Sequence, residues 1–314
     1  MPFFDLASLA KPLVTAPLAL RQLDLDQDRR SQLGFGDRPQ ALTVRQLLSH
    51  SAGLPPWLPF TGEPLAVQLR RGGPAPAPGV SVYSDLGYRL LADLLELETG
   101  RPFRELGAEA SGLSPAPWAD PPRFAPQGAD AEMWRLAEPA LAMPGPDPNR
   151  PNDLNARAGM QGHAGFGATP AQLETCLEAW VGSGAPLAMA VDTAQSSGGA
   201  CWGLGLQRAL TGPGRFGSLL AAVPPGLGGL RLRVLNSCAL RAGAPALAEL
   251  PGAPSAFWFH LGYTGPALFF RPEDGLCIAL LAHRLGPEGE LLDGESLRAR
   301  RWQALKAVVA ELIG

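Results

Sequence analysis

Lysine is almost missing from this chain of 314 residues: Lys11 and Lys306 are its only two, and arginine carries the rest of the positive charge. Arginine serves at any solvated surface position but is too basic to take up a proton near neutral pH. A lysine kept in such a background marks a place where a guanidinium does not suffice. Histidine is scarce as well, with four residues standing apart in the chain. The four cysteines, Cys176, Cys201, Cys238 and Cys277, are widely spaced and form no C-x-x-C pair. Metal-ligand spacing is therefore absent, so no zinc site and no cofactor are expected, and the thiols are expected to be buried and reduced.

No stretch approaches the roughly 18 uninterrupted apolar residues of a membrane helix, so no membrane span is expected. The net charge of −3 offers no positive footprint for nucleic acid or an anionic membrane. The first residues have no basic segment and carry Asp5, unlike a signal peptide, and a cytoplasmic protein is expected from the sequence as it stands. No internal repeat is evident. What is present is 46% hydrophobic and 18% charged residues, the balance of a folded soluble chain, long enough for one large core or two lobes.

Within that chain, Phe4-Asp5-Leu6-Ala7-Ser8-Leu9-Ala10-Lys11 carries the clearest chemistry. Ser8 and Lys11 are three residues apart and share a face if a helix starts near Ser8. A serine hydroxyl becomes a nucleophile when a neighbouring base takes its proton. Lysine serves as that base only when its pKa is depressed. A helix N-terminus adds free N–H groups for a developing oxyanion.

Further along, Thr43 reads as the N-cap of a short helix ending before Gly53 and Pro55. His50 in its wake reads as a structural histidine that fixes the following loop. Tyr83 and Asp85 stand just ahead of an amphipathic helix, Arg89 to Glu98, whose leucines recur at helical spacing. Ser111 to Asn149 reads as irregular, with a short helix near Glu132 to Ala137. His163 lies in a Gly-rich segment and reads as a loop organiser. Thr169-Pro170 opens a helix to about Trp180. After Gly198 the chain changes to short apolar runs bounded by Gly and Pro, which favour strands: Cys201 to Leu206, Phe216 to Val223, Leu230 to Leu235, Phe257 to His260, and Pro266 to Arg271 paired with Leu276 to His283 through the turn at Pro272 to Gly275. A terminal helix is expected over Glu295 to Ile313.

Four of these segments, in order, resemble the serine hydrolases of the class C β-lactamase and D-alanyl-D-alanine carboxypeptidase superfamily: F-D-L-A-S-L-A-K at Phe4 to Lys11, L-L-S-H-S-A-G-L-P at Leu47 to Pro55, Y-S-D-L-G-Y at Tyr83 to Tyr88, and H-L-G-Y-T-G at His260 to Gly265. G-H-A-G-F at Gly162 to Phe166 adds to the likeness. The resemblance implies an α/β fold of the β-lactamase/transpeptidase type, an antiparallel sheet flanked by helices plus a mostly helical lobe. In one domain over 1–314, residues 1–19 and 196–314 would form the α/β lobe and 20–195 the helical lobe. The site would lie between the lobes, under an edge strand at His260.

The resemblance also implies roles. Ser8 would be acylated by an ester or peptide substrate resembling a D-Ala peptide, with Lys11 and Tyr83 sharing the proton work. The backbone N–H groups of Ser8 and Tyr263 would hold the oxyanion. His260 would donate to a substrate carboxylate or ester, and Gly262 would let substrate approach the strand. Asp85 stands where the lactamases usually have Asn, and a carboxylate there raises the Lys11 pKa. That favours an esterase or peptidase over a β-lactamase; a catalytically silent binding homologue is the other alternative. Family members carry several dozen residues ahead of the nucleophile, so a start upstream would make a periplasmic location possible. Phe216 to Val223 and Leu230 to Leu235 are expected to replace the strands those residues form, by covering the free edge of Leu276 to His283.

Overall fold

Pro12 and Pro17 decide how the first helix is built. The computed structural model describes residues 3–71, 80–117, 153–197, 199–210, 216–234, 257–282, 284 and 292–314. It opens with a two-residue strand, β1 (Phe4–Asp5), and a continuous helical run: a 3-10 turn at Ala7–Leu9, a wide i→i+5 turn at Lys11–Thr15, and α1 (Ala16–Gln22). A proline cannot donate to the carbonyl four residues back, and its ring crowds that carbonyl. Regular α geometry therefore cannot run unbroken from Ser8. The Ala16 N–H reaches back to the Lys11 carbonyl. Pro17 offers no N–H to the Pro12 carbonyl, which instead accepts from Trp180 Nε1 at 2.9 Å. The local irregularity becomes a tertiary tether.

Helices α2 (Val44–Leu48), α3 (Leu65–Arg71), α4 (Asp85–Thr99) and α5 (Phe103–Ser111) follow, then β2 (Ser114–Pro115). Thr43 caps α2 in a reciprocal pair with Gln46, the local device its sequence predicts. α4 begins earlier than the leucine periodicity suggests, with Ser84 extended at its N-cap, and stops at Gly100 in the left-handed conformation. The expected helix near Glu132 to Ala137 lies outside the described residues. Past it come α6 (Leu154–Arg157), β3 (Phe166–Ala168), α7 (Pro170–Gly182) and α8 (Ala185–Met189). Thr169 and Gln172 form a second capping box, at the start of α7. Strand β3 pairs antiparallel with both β1 and β2 in a small sheet that seats the residues ahead of Ser8.

The second sheet has seven strands: β4 (Ala194–Gln195), β5 (Cys201–Trp202), β6 (Gln207–Arg208), β7 (Leu230–Val234), β8 (Trp258–Leu261), β9 (Ala267–Arg271) and β10 (Leu276–Leu281), in the order β4-β5-β6-β8-β9-β10-β7. Every residue of β9 and β10 is buried, as a sheet covered on both faces requires. Leu268, Phe270, Cys277, Ala279 and Leu281 join the core shared with the helices, while Ala267, Phe269, Leu276, Ile278 and Leu280 face the terminal helix, α10 (Gly294–Ile313). Alternate residues feed alternate layers.

Three expectations change here. The sheet is mixed, because β7 runs parallel to β10. Leu230–Val234 does cover that edge, but Phe216–Leu220 is a helix, α9. Its Phe216, Leu219 and Leu220 fall at helical spacing and pack in the layer beneath α10, a pattern that a short apolar run hides. Finally, β8 is not an edge along its whole length. β6 pairs with Trp258 and Phe259 only, so the strand is open just at His260 and Leu261. Among the described residues no helix is long and apolar enough to cross a membrane, and Cys176, Cys201 and Cys277 are buried free thiols.

Candidate active site

Ser8 lies on the 3-10 turn, directly after a residue in an unfavourable conformation: Ala7 has φ 45. Only a few per cent of non-glycine residues take this region, and such strain persists where the surroundings hold it. Here Asp5 Oδ1 accepts from the Ala7 N–H at 2.8 Å, and the Asp5 carbonyl accepts from Thr264 Oγ1 at 2.9 Å. The turn after β8 is thereby bolted to the nucleophile segment. Gly262 makes this possible. A Cβ there would lie 2.9 Å from the Leu6 carbonyl oxygen and 2.6 Å from Pro266 Cγ. Gly262 borders the cavity, but its missing side chain makes room for Leu6 and Pro266, where the resemblance suggested room for substrate.

Lys11 Nζ is fully buried and sits 2.9 Å from Ser8 Oγ, 3.1 Å from the His163 carbonyl and 2.7 Å from Asp85 Oδ1. The Asp85 contact is an ion pair. Burial draws the Lys11 pKa down, but Asp85 and Tyr83 more than offset it, so the net shift is upward. The Tyr83 ring centroid is 4.9 Å from the same nitrogen. Burial pushes the Tyr83 hydroxyl up, partly countered by Lys11.

His50 positions Tyr83 from both sides. Its carbonyl accepts from the Val82 N–H at 2.9 Å, and its Nδ1 accepts from the Ser84 N–H at 3.1 Å. The His50 and Tyr83 rings are 4.6 Å apart. Burial, with Lys11 and His260 nearby, holds the His50 pKa well below its usual value.

His260 Nδ1 faces the Leu261 carbonyl at 3.1 Å and must carry the ring proton there. Burial first, then Lys11, takes its pKa down to about 3. Nε2 is therefore a lone-pair acceptor, buried and without a partner. This corrects the expected donor role: a neutral ring in this tautomer has no proton to offer a substrate carboxylate. Tyr263, in the turn after β8, is half exposed, and the Arg284 guanidinium lies 4.2 Å over its ring. Arg301 is buried beneath that turn and donates to the Gly262, Gly265 and Pro266 carbonyls.

All seven residues singled out in the sequence are brought together. Six of them, Ser8, Tyr83, Asp85, His260, Gly262 and Tyr263, border one cavity of about 690 Å³, with Lys11 beneath it. Sequence reasoning missed Asp153. Its Oδ1 contacts His163 Nε2 at 2.7 Å and accepts from the Ala156 N–H at 2.8 Å. Burial pushes the Asp153 carboxyl up, but His163, that N–H and Lys11 together hold it at about 2. Asp85, Asp153 and His163 each bring one polar atom within 4.8 Å of the others. The cation already beside them is the Lys11 ammonium. The only signal in the sequence was the polar Asp153-Leu154-Asn155 run just ahead of the Gly-rich segment.

A family model described as Beta-lactamase matches residues 3–300. No curated protein matches the sequence. Among solved structures, SurE with D-Leu is similar at TM-score 0.60 and 21% identity, over 99% of this chain and 64% of SurE. The chain thus spans under two thirds of that protein. A class C β-lactamase from Rhodobacter sphaeroides is similar at TM-score 0.60 and 17% identity, over 98% of this chain and 86% of that one. A D-amino acid amidase from Ochrobactrum anthropi SV3, complexed with D-phenylalanine, is similar at TM-score 0.56 and 19% identity, over 98% and 92%. At these identities the likeness is one of fold.

Proposed function

The chain belongs to the Beta-lactamase family of serine hydrolases, and within it we propose an acyl hydrolase that cleaves an ester or peptide through an acyl-enzyme on Ser8. The observation that carries this is the 2.9 Å contact between Ser8 Oγ and Lys11 Nζ at the floor of the cavity. Neutral Lys11 takes the Ser8 proton as Oγ attacks the acyl carbon. Tyr83 gives its proton to the leaving atom and is reprotonated by Lys11. Water then releases the acyl group by the same path in reverse. The Ser8 and Tyr263 N–H groups are the donors proposed for the oxyanion, a contribution of a few kcal/mol each in such sites.

Asp85 weighs against efficient β-lactam hydrolysis, because it holds Lys11 in the charged form. The D-Ala-type substrate is supported by the D-amino acid amidase among the structural neighbours. Wild-type protein is expected to hydrolyse a short-chain chromogenic ester and to be labelled on Ser8 by a fluorophosphonate. Ser8→Ala should lower kcat/KM by roughly 10³-fold or more and abolish the label. Labelling that persists in this variant overturns the assignment. A wild-type chain that is neither labelled nor active is instead a silent binding homologue.

A further inference from the structure

Two carboxylates, Asp85 and Asp153, stand on one stretch of the cavity wall. Asp153 uses Oδ1 on His163 and Ala156, and among the described residues its Oδ2 has no partner. Asp153 and Asp85 are partly exposed on the cavity, with side chains 27% and 16% accessible. Their nearest polar atoms lie within 4.8 Å, a gap that one ammonium bridges with two hydrogen bonds of ordinary length. Independently, His260 is 2% exposed, borders the same cavity, and has a lone pair at Nε2 with no partner.

Of the cations around the cavity, Arg284 lies over the Tyr263 ring. Lys11 has no exposed surface, and Arg301 is consumed by three carbonyls beneath the β8 turn. A substrate carboxylate placed beside Asp85 and Asp153 would meet two like charges, an arrangement that costs binding. A positively charged donor would meet partners.

We propose that Asp153 and Asp85 form an ammonium subsite that selects substrates with a free amine on the carbon next to the scissile carbonyl. Ser8 Oγ and Asp85 Oδ1 both touch Lys11 Nζ, so a carbonyl over Ser8 places an α-substituent, not a distant one, at the two carboxylates. Asp153 acts here as a specificity residue. The subsite rests on the acyl-hydrolase reading for its meaning in catalysis, and it changes the substrate class from an internal peptide bond to an α-aminoacyl ester or amide.

The test compares alanine methyl ester with lactate methyl ester, in both hands, on the full chain by methanol release. The two differ by an ammonium against a hydroxyl on one skeleton. The alanine ester is expected to have a kcat/KM about tenfold higher or more. Asp153→Asn should remove most of that preference, read as the ratio of the two kcat/KM values. Equal rates for the two esters in wild type, or an equal loss for both in Asp153→Asn, overturn the subsite. Should Asp153→Asn not fold, the wild-type pair alone decides.

Binding of alaninamide against lactamide to Ser8→Ala protein, by calorimetry, separates this proposal from the catalytic one. Selective binding of alaninamide in a chain with no turnover keeps the subsite and rejects the hydrolase. Turnover without selectivity keeps the hydrolase and rejects the subsite.

Discussion

Three acceptors share the Lys11 ammonium: Ser8 Oγ, the His163 carbonyl and the Asp85 carboxylate. Two of these also suit a neutral amine, since a hydroxyl and a carbonyl carry no charge. Asp85 alone adds a strong preference for the charged form. The proposed base must be neutral, so the acidic limb of kcat/KM against pH reports Lys11 in the free enzyme. Asp85→Asn keeps the shape and removes the charge. That limb is expected to move to lower pH by about one unit or more, with faster turnover at neutral pH. A limb that stays in place or moves up shows that Lys11 is not the titrating base. Ser8 and Lys11 were legible from spacing and lysine scarcity, and Asp85 from its place after Tyr83. The lone pair of His260 was not legible, because a tautomer depends on which carbonyl lies beside the ring.

At the scale of elements, the Gly-rich loop ahead of β3 clamps the helical run that bears Ser8. Thr15 Oγ1 donates to the Gly162 carbonyl at 2.5 Å, and Lys11 to the next carbonyl. Gly162 has φ +90, and a Cβ there would stand 2.0 Å from the Tyr88 carbonyl oxygen. Gly162→Ala is therefore expected to cost about 3 kcal/mol of stability, measured by urea unfolding. Gly182, at the end of α7, faces open space, so Gly182→Ala should be neutral or stabilising by up to about 1 kcal/mol. Equal effects from the two substitutions would refute this account of the clamp. The capping boxes of α2 and α7 were readable because each lies within four consecutive residues. The helix at Phe216–Leu220 was not, since a five-residue run suits either a strand or a helix and the layer under α10 made the choice.

For the whole molecule, the seven-stranded sheet separates two apolar layers, and the buried imidazoles lie where β8 meets the helices. His260 binds a proton near its usual 6.5 when exposed but only at about 3 in the fold, and His50 is shifted in the same direction. Between those values the unfolded chain holds more protons, so stability falls as pH drops below about 6.5. Asp153 has a folded pKa of about 2, below its usual 3.8. Its stabilisation is present above 3.8 and is lost as pH falls from there toward 2. The melting temperature is thus expected to decline from about pH 6.5 downward and more steeply below about pH 4. A melting temperature that stays constant from about pH 7 to 4.5 would contradict the buried neutral histidines.

The sequence by itself determined what depends on neighbours in the chain: the Ser8–Lys11 spacing, the Thr43 and Thr169 caps, the β9–β10 hairpin and the order of the family motifs. Only the tertiary structure decided the charge on Lys11, the free lone pair on His260, the carboxylate of Asp153 beside Asp85, and the parallel pairing of Leu230–Val234. The reason is physical. Spacing and capping act over a single turn, whereas protonation and strand pairing are set by desolvation and by partners far away in the chain.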